Sequence, residues 1–93
     1  MIFKLAAERE YLAAIRWYSN ILPELGSQFE VAVEAAIAAV AANPQRFPVL
    51  SGMTREKIVD DFPYSVIYRF RAGRVTIVAV YHHSRKPFDW RYR

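Results

Sequence analysis

The residues best suited to binding and chemistry lie near the end of the sequence, where cations alternate with aromatic rings. Arginine and tryptophan are enriched at interface hot spots, and interleaved rings and cations suit a protein partner or unstacked bases. The alternative is a tail that closes the sheet, with Trp90 in the core and the arginines as soluble cover. We predict a target-binding surface made by Arg85, Lys86, Trp90, Arg91 and Arg93.

The two histidines, His82 and His83, are adjacent in sequence and follow a predicted strand. Adjacent strand residues point to opposite faces, so the pair cannot chelate one metal together. Either ring can act as a proton shuttle, because imidazole titrates near neutrality, or it can cap a strand edge. No third ligand stands at a recognisable spacing, and we expect neither a metal nor a cofactor.

Other motifs for catalysis are weak. Asp60 and Asp61 precede Phe62-Pro63, and acids before a proline turn are usually solvated or cap the turn. The three glycines are isolated, so no glycine-rich phosphate loop is indicated. The acidic pair is therefore predicted to be structural.

Composition limits the class of protein. The 93 residues predict a single domain spanning 1–93, and 54% hydrophobic with 24% charged residues is typical of a globular chain. The absence of cysteine fits a reducing compartment, and the uncharged run 35–42 is too short to cross a membrane. We expect a cytoplasmic protein with no membrane partner.

Charge is divided unevenly along the chain. Residues 1–50 hold four Lys/Arg and five Glu, for a net charge of −1, whereas residues 51–93 hold nine Lys/Arg and four Asp/Glu, for +5. A positive surface attracts nucleic acid or an acidic protein by the same Coulomb attraction, so the sign alone does not choose between them.

The periodicity predicts two helices that precede several strands. Apolar residues spaced by three and four predict a first helix that begins near Ala6, with Tyr11, Ile15, Tyr18 and Leu22 on its apolar face. The second helix is predicted to start at Pro23 or Ser27 and to stop at Asn43-Pro44. Its apolar face carries Phe29, Val33, Ile37 and Val40. Residues 2–5 suggest a short edge strand, and 44–54 a loop.

The second half of the chain has the pattern of a sheet. Strands are predicted at 55–59, 64–70 and 75–81, with a tight hairpin at Ala72-Gly73 and a last strand covered on both sides. Short turns join antiparallel strands, and two helices must bury their apolar faces. The predicted fold is α+β, with a helical hairpin packed on a small antiparallel sheet and with Tyr68, Ile77 and Ile37 buried.

The order of these elements and several short stretches resemble the RelE/ParE toxin superfamily over essentially the whole chain. The stretches are Arg16-Trp17-Tyr18, Leu25-Gly26 with Phe29, Asn43-Pro44, Phe62-Pro63-Tyr64, Tyr68-Arg69, and Val78 to Pro87 followed by Trp90 and Arg93. The resemblance implies the toxin of a type II toxin–antitoxin system, of the kind that stabilises plasmids, bound in a hetero-oligomer by a cognate antitoxin.

The superfamily implies two mechanisms. RelE-like members cut messenger RNA on the ribosome, and their pattern of catalytic residues is met in part. Arg85 matches the arginine expected after the last strand, Arg55 or Lys57 can stand for the strand lysines, and His83 is a candidate acid. Ser65, however, replaces an expected arginine, and Tyr92 falls one position away from the expected terminal tyrosine. ParE-like members poison DNA gyrase without catalysis. Phe62-Pro63-Tyr64 and the Trp90/Arg93 tail favour this second mechanism.

A third possibility is a nucleic-acid-binding module without toxicity. The second helix consists largely of alanine, valine and glutamate, and so it lacks the polar and basic side chains of a recognition helix. The sequence therefore favours the gyrase poison, then the ribonuclease, then the binding module.

Overall fold

A computed structural model describes residues 1–85, Trp90 and Arg93. The described residues form two helices and five strands, α+β as predicted. In chain order these are β1 (Ile2–Phe3), α1 (Leu5–Ile21), α2 (Pro23–Ala42), β2 (Val49–Ser51), β3 (Thr54–Ile58), β4 (Tyr64–Arg71) and β5 (Arg74–His82).

The two helices form a hairpin joined at a single extended residue. Leu22 has φ −160° and ψ 126°, and Pro23 takes the first position of α2, where its missing N–H costs nothing. The helix thus begins at Pro23 and not at Ser27. Leu22 was predicted on the buried face of the first helix, but it lies outside both helices and is exposed, because the proline prevents α1 from continuing.

Close packing of the hairpin depends on Gly26, which is buried in α2. A Cβ atom at this position would clash with the Ser19 side chain of α1. A glycine here lets the two backbones approach each other, which is why α1 and α2 can share one apolar layer.

The sheet has the strand order β1-β5-β4-β3-β2. The turns between β2 and β5 are short and give antiparallel pairs, as expected, but β1 pairs parallel with β5, so the sheet is mixed. The predicted antiparallel sheet is thus found from β2 to β5, and the edge pair of β1 with β5 departs from it, because the long helical connection after β1 allows a parallel crossover. The prediction of a loop over 44–54 also missed β2.

The helices cover one face of the sheet and bury the main core there. The aromatic centre of that core is a cluster of Tyr18, Phe29, Phe62 and Tyr64. The ring centroid of Phe29 lies 5.0–5.1 Å from those of the other three rings, and the centroids of Tyr18 and Phe62 are 5.1 Å apart. Tyr68 and Ile77 are fully buried, as predicted. Ile37 is only partly buried at the edge of this core.

The opposite face of the sheet has a smaller core. Ile67, Val78 and Ala79 are fully buried there, with Tyr81 and Trp90 packed over them. Val78 is the extra residue of a β-bulge, because Ile67 pairs with Ala79 and Tyr68 with Ile77. The prediction that β5 is covered on both faces is confirmed.

Helix α2 is long and apolar enough to cross a membrane by length and composition alone, which is weak evidence, since the core helix of a soluble protein passes the same test. In this structure the helix lies on the sheet. Phe29, Val33, Ala36 and Val40 are its contribution to the core.

Candidate interaction cleft

A cleft of about 340 Å³ opens between α1 and the end of β5. On the α1 side the cleft is lined by the small side chains of Ala13 and Ala14 and by Trp17, which has 60% of its surface exposed. The other lining residues are polar: Glu10, Tyr64, His82, Ser84 and Arg85. The cleft therefore combines a small apolar floor with an aromatic ring and ionisable groups.

Glu10 is the centre of the polar contacts beside this cleft. Its two carboxylate oxygens accept hydrogen bonds from Arg93 Nη1 at 2.9 Å and Nη2 at 3.2 Å, a bidentate geometry. The guanidinium of Arg85 lies 3.7 Å from Glu10 Oε2, with 58% of its side chain exposed. Arg93 is thus held tightly, whereas Arg85 remains accessible to a partner.

The same two residues cover the free edge of β5. Strand β1 pairs with Thr76 and Ile77, and in the part of the chain that the structure describes no other strand lies along the rest of that edge. There Val80 donates its backbone N–H to Glu10 Oε1 at 3.2 Å, and Val78 O accepts from Arg93 Nη1 at 3.0 Å. Side chains therefore satisfy backbone groups that an edge strand would leave open.

His82 and Tyr64 form the wall of the cleft nearest the core. The His82 ring stands edge-on to Tyr64, with 4.9 Å between centroids, and its Nδ1 accepts the backbone N–H of Ser84 at 3.0 Å. Burial raises the pKa of the Tyr64 hydroxyl, and Tyr18 adds to the rise, while nearby Arg85 lowers it. The hydroxyl is thus kept neutral, and it can act as a hydrogen-bond donor.

His83 lies on the other face of the sheet, as the alternation of strand side chains predicted. Its Nε2 is 2.8 Å from the hydroxyl of buried Ser65, and its backbone N–H donates to Pro63 O. No group of histidine, aspartate or glutamate side chains that could hold a metal is found among the described residues.

Arg55 and Lys57 point toward the helices and not toward the cleft. Arg55 is opposite buried Tyr68 in the register, and it donates to Gln45 O at 3.0 Å and Phe47 O at 2.8 Å. The Lys57 ammonium lies 5.4 Å from the centroid of the Phe47 ring. Both cations fasten the loop after α2 and are apart from Arg85.

Comparison with known proteins places the chain in a family. Residues 1–87 match the family model described as the ParE toxin of the type II toxin–antitoxin system parDE. The chain belongs to the ParE toxin family. A solved structure described as the chromosomal ParDE TA system from P. aeruginosa has the same fold, with a TM-score of 0.63, 15% identity, and coverage of 86% of this chain and 90% of that chain. The search of curated proteins gave no significant match.

In this ParE-family toxin the predicted target-binding residues of the tail are in different situations. Trp90 is partly buried, and its ring packs edge-on against Tyr81 with 5.0 Å between centroids. Arg93 is bound to Glu10, and Arg85 is exposed. Lys86, Arg91 and Tyr92 lie outside the described residues. Target binding by this set stays a prediction.

Sequence reasoning missed two features of the toxin. One is the role of Glu10, which looks like any acidic residue in the first helix and is placed beside β5 only by the tertiary fold. The other is a basic groove on the face of the sheet opposite the helices, lined by Arg69, Arg71 and Arg74. The alternation of Arg69 and Arg71 before the hairpin was a signal that could have revealed it.

Proposed function

We propose that this ParE-family toxin inhibits growth by binding and poisoning DNA gyrase, and that a cognate antitoxin neutralises it. The observation that carries this proposal is the dispersal of the candidate ribonuclease residues. Arg85 lies at the cleft, Arg55 and Lys57 hold the loop after α2, and His83 is on the opposite face. Cleavage of a phosphodiester needs its acid, base and cations within reach of one phosphate.

The environment of Ser65 supports the same conclusion. This residue occupies the position at which the ribonuclease pattern has an arginine, and it is fully buried and hydrogen-bonded to His83. The position therefore offers no cation to a developing phosphorane. A binding mechanism does not need such a group, because a poison acts through the surface it presents.

The target is tested by inducing the toxin in growing cells and measuring gyrase–DNA breaks and messenger RNA in the same culture. We expect stalled replication and accumulated breaks with an intact message pool. Arg91→Glu should reduce toxicity by weakening binding, and Arg85 should matter no more than its neighbours. Trp90→Ala and Arg93→Glu should reduce toxicity as well, but they also remove contacts of the fold, so their toxicity is compared at equal levels of folded protein. Fragmented messages that disappear in Arg85→Ala would overturn the proposal in favour of ribosome-dependent cleavage.

The antitoxin is proposed to dock in the cleft between α1 and β5. Antitoxin segments that are amphipathic and rich in Leu, Glu and Asp need an apolar floor beside cations. The cleft provides Ala13, Ala14 and exposed Trp17 next to Arg85. A larger groove along α2, of about 550 Å³, is more apolar, but Asp60 and Asp61 line it and would repel an acidic segment.

Co-expression with the product of a short reading frame, if one lies beside the toxin gene, tests this assignment. The neighbouring product should bind the toxin and restore growth, with Trp17→Ser and Arg85→Glu weakening capture. Val31→Ser, which changes an exposed apolar residue of the α2 groove, is the matched control and should leave capture unchanged. The opposite pattern would move the antitoxin to α2. Because its proposed partners are cytoplasmic, the toxin is proposed to act in the cytoplasm.

A further inference from the structure

The hairpin between β4 and β5 presents an arginine face on the side of the sheet away from the helices. The arginine face consists of Arg69, Arg71 and Arg74 with Thr76, and together with Ala72 it lines a groove of about 600 Å³. Arg69 pairs across the strands with Thr76, and Arg71 with Arg74. Cross-strand partners share a face, so all four side chains project into the same groove.

The arrangement is unfavourable for folding. Like charges directly opposite each other on neighbouring strands destabilise a sheet, and Arg71 and Arg74 form such a pair. Within the described part of the chain, the ion pairs of arginine go to Glu10 and none involves the arginine face. Among the side-chain hydrogen bonds of the described residues, the arginine face contributes one, from Arg69 Nη2 to Trp90 O at 3.0 Å. Stability therefore does not account for Arg71 and Arg74.

The chemistry of the groove identifies its partner. Protein interfaces need apolar or aromatic anchors at their centre, yet among the described residues the only apolar side chain lining this groove is the Ala72 methyl group. Contacts to a nucleic-acid backbone instead use arginines and hydroxyls, which donate to phosphate oxygens. Residues two apart on a strand are separated by about 6.6 Å, so Arg69 and Arg71 can address successive phosphates.

We infer that the arginine face binds the phosphodiester backbone of a nucleic acid without reading its sequence. Guanidinium groups bind phosphate in a bidentate manner, and the Thr76 hydroxyl adds a neutral donor beside them. The inference goes beyond the proposed function and does not depend on gyrase or on the antitoxin. It concerns a surface separate from the cleft, on the other face of the sheet.

The test measures binding of the purified full-length toxin to a short fluorescent duplex DNA and to a single-stranded RNA at several salt concentrations. The variant is Arg71→Gln with Arg74→Gln, which leaves the Arg69–Trp90 contact in place. The matched control is Arg9→Gln with Arg16→Gln, two exposed arginines of α1 that change the net charge equally. The probe that loses more affinity identifies the duplex or the single strand as the preferred source of phosphate.

Loss of two phosphate contacts should lower affinity roughly 10- to 100-fold at about 0.1 M salt and reduce the slope of log K against log salt by nearly 2. The control pair should change neither. Arg71→Lys with Arg74→Lys keeps the charge and should retain most of the affinity. The melting temperature of the glutamine variant should be unchanged or higher, because a repulsive pair has been removed.

The inference is wrong if the glutamine variant and the control have the same affinity and the same salt slope. It is equally wrong if the glutamine variant binds both nucleic acids normally but loses affinity for an acidic polypeptide such as polyglutamate. That second result would make the arginine face a docking surface for an acidic protein.

Discussion

Arg93 and Glu10, which are 83 positions apart in sequence, form a bidentate ion pair that covers the edge of β5. The Glu10 side chain is only 15% exposed and that of Arg93 22%. Each residue also bonds to the backbone of β5, at Val80 N and Val78 O. The contact between the end of the chain and the first helix thus takes the place of a neighbouring strand.

Removal of the Glu10 carboxylate should therefore destabilise the fold. In Glu10→Ala the Arg93 guanidinium loses its two hydrogen bonds to the carboxylate and the Val80 N–H loses its acceptor, and hydrogen bonds to charged groups contribute about 1.5–3 kcal/mol. Urea unfolding measures the loss in free energy. Glu30→Ala, an exposed acid of α2, is the control and should change stability by less than about 0.5 kcal/mol. Equal effects of the two substitutions would show that the ion pair is not formed.

Substitutions of Trp90 can separate packing from target binding. Trp90→Ala removes the ring that covers Ile67, Val78 and Ala79 and should cost about 1–3 kcal/mol, less than a fully buried ring because Trp90 is partly exposed. Trp90→Phe keeps most of that cover and should be nearly as stable as the parent chain. Toxicity measured at equal protein level then decides: loss in both variants indicates contact with the target, and loss in the alanine variant alone indicates packing.

The two isoleucines of the core should differ in their contributions. Ile77 is fully buried in β5, so Ile77→Ala should cost about 2–5 kcal/mol in the free energy of unfolding. Ile37 lies at the edge of the core and is partly exposed, so Ile37→Ala should cost clearly less. From the sequence alone, the two substitutions to alanine were expected to lower the free energy of unfolding by the same amount. Equal losses in chemical denaturation would contradict the burial seen here.

The hairpin between β4 and β5 should be open to stabilisation. Its two central residues, Ala72 and Gly73, have φ values of 51° and 75°, the left-handed geometry of a type I′ turn. Alanine is strained there by about 1 kcal/mol, whereas asparagine tolerates it. Ala72→Asn should raise the melting temperature, and Gly73→Ala should lower it. Shifts of the same sign would be inconsistent with this turn.

Stability should fall steeply at alkaline pH. The pKa values of Tyr11, Tyr18, Tyr64 and Tyr68 are raised above the usual 10.0, chiefly by burial, and for Tyr11 also by its hydrogen bond to Glu34. Above pH 10 the unfolded chain loses these protons while the folded chain keeps them, so the stabilisation present below pH 10 is lost as the pH rises.

Each such tyrosine should contribute a decline of about 1.4 kcal/mol per pH unit in that range. The free energy of unfolding measured between neutral pH and pH 11 shows the slope. Tyr11→Phe removes one titrating group and should make the decline in the free energy of unfolding shallower by about 1.4 kcal/mol per pH unit, the share of one proton. A slope that does not change in Tyr11→Phe would mean that this hydroxyl ionises equally in both states.

The sequence by itself determined the elements that depend on local rules. Apolar spacing defined both helices, Asn43-Pro44 fixed the end of α2, and Ala72-Gly73 fixed a hairpin, because backbone sterics and periodicity act within a few residues. It also determined that His82 and His83 lie on opposite faces, which follows from the alternation of a strand.

Only the tertiary structure decided which distant groups meet. The parallel pairing of β1 with β5, the burial of Ser65 against His83, and the attachment of Arg93 to Glu10 all join residues that no local pattern connects. The surface that each cation occupies was also decided by the tertiary structure. The sequence does not distinguish Arg55 and Lys57 from Arg85, yet in the fold they point toward the helices and Arg85 lies at the cleft. A charge has the same sign wherever it lies, and only the fold decides which surface it occupies.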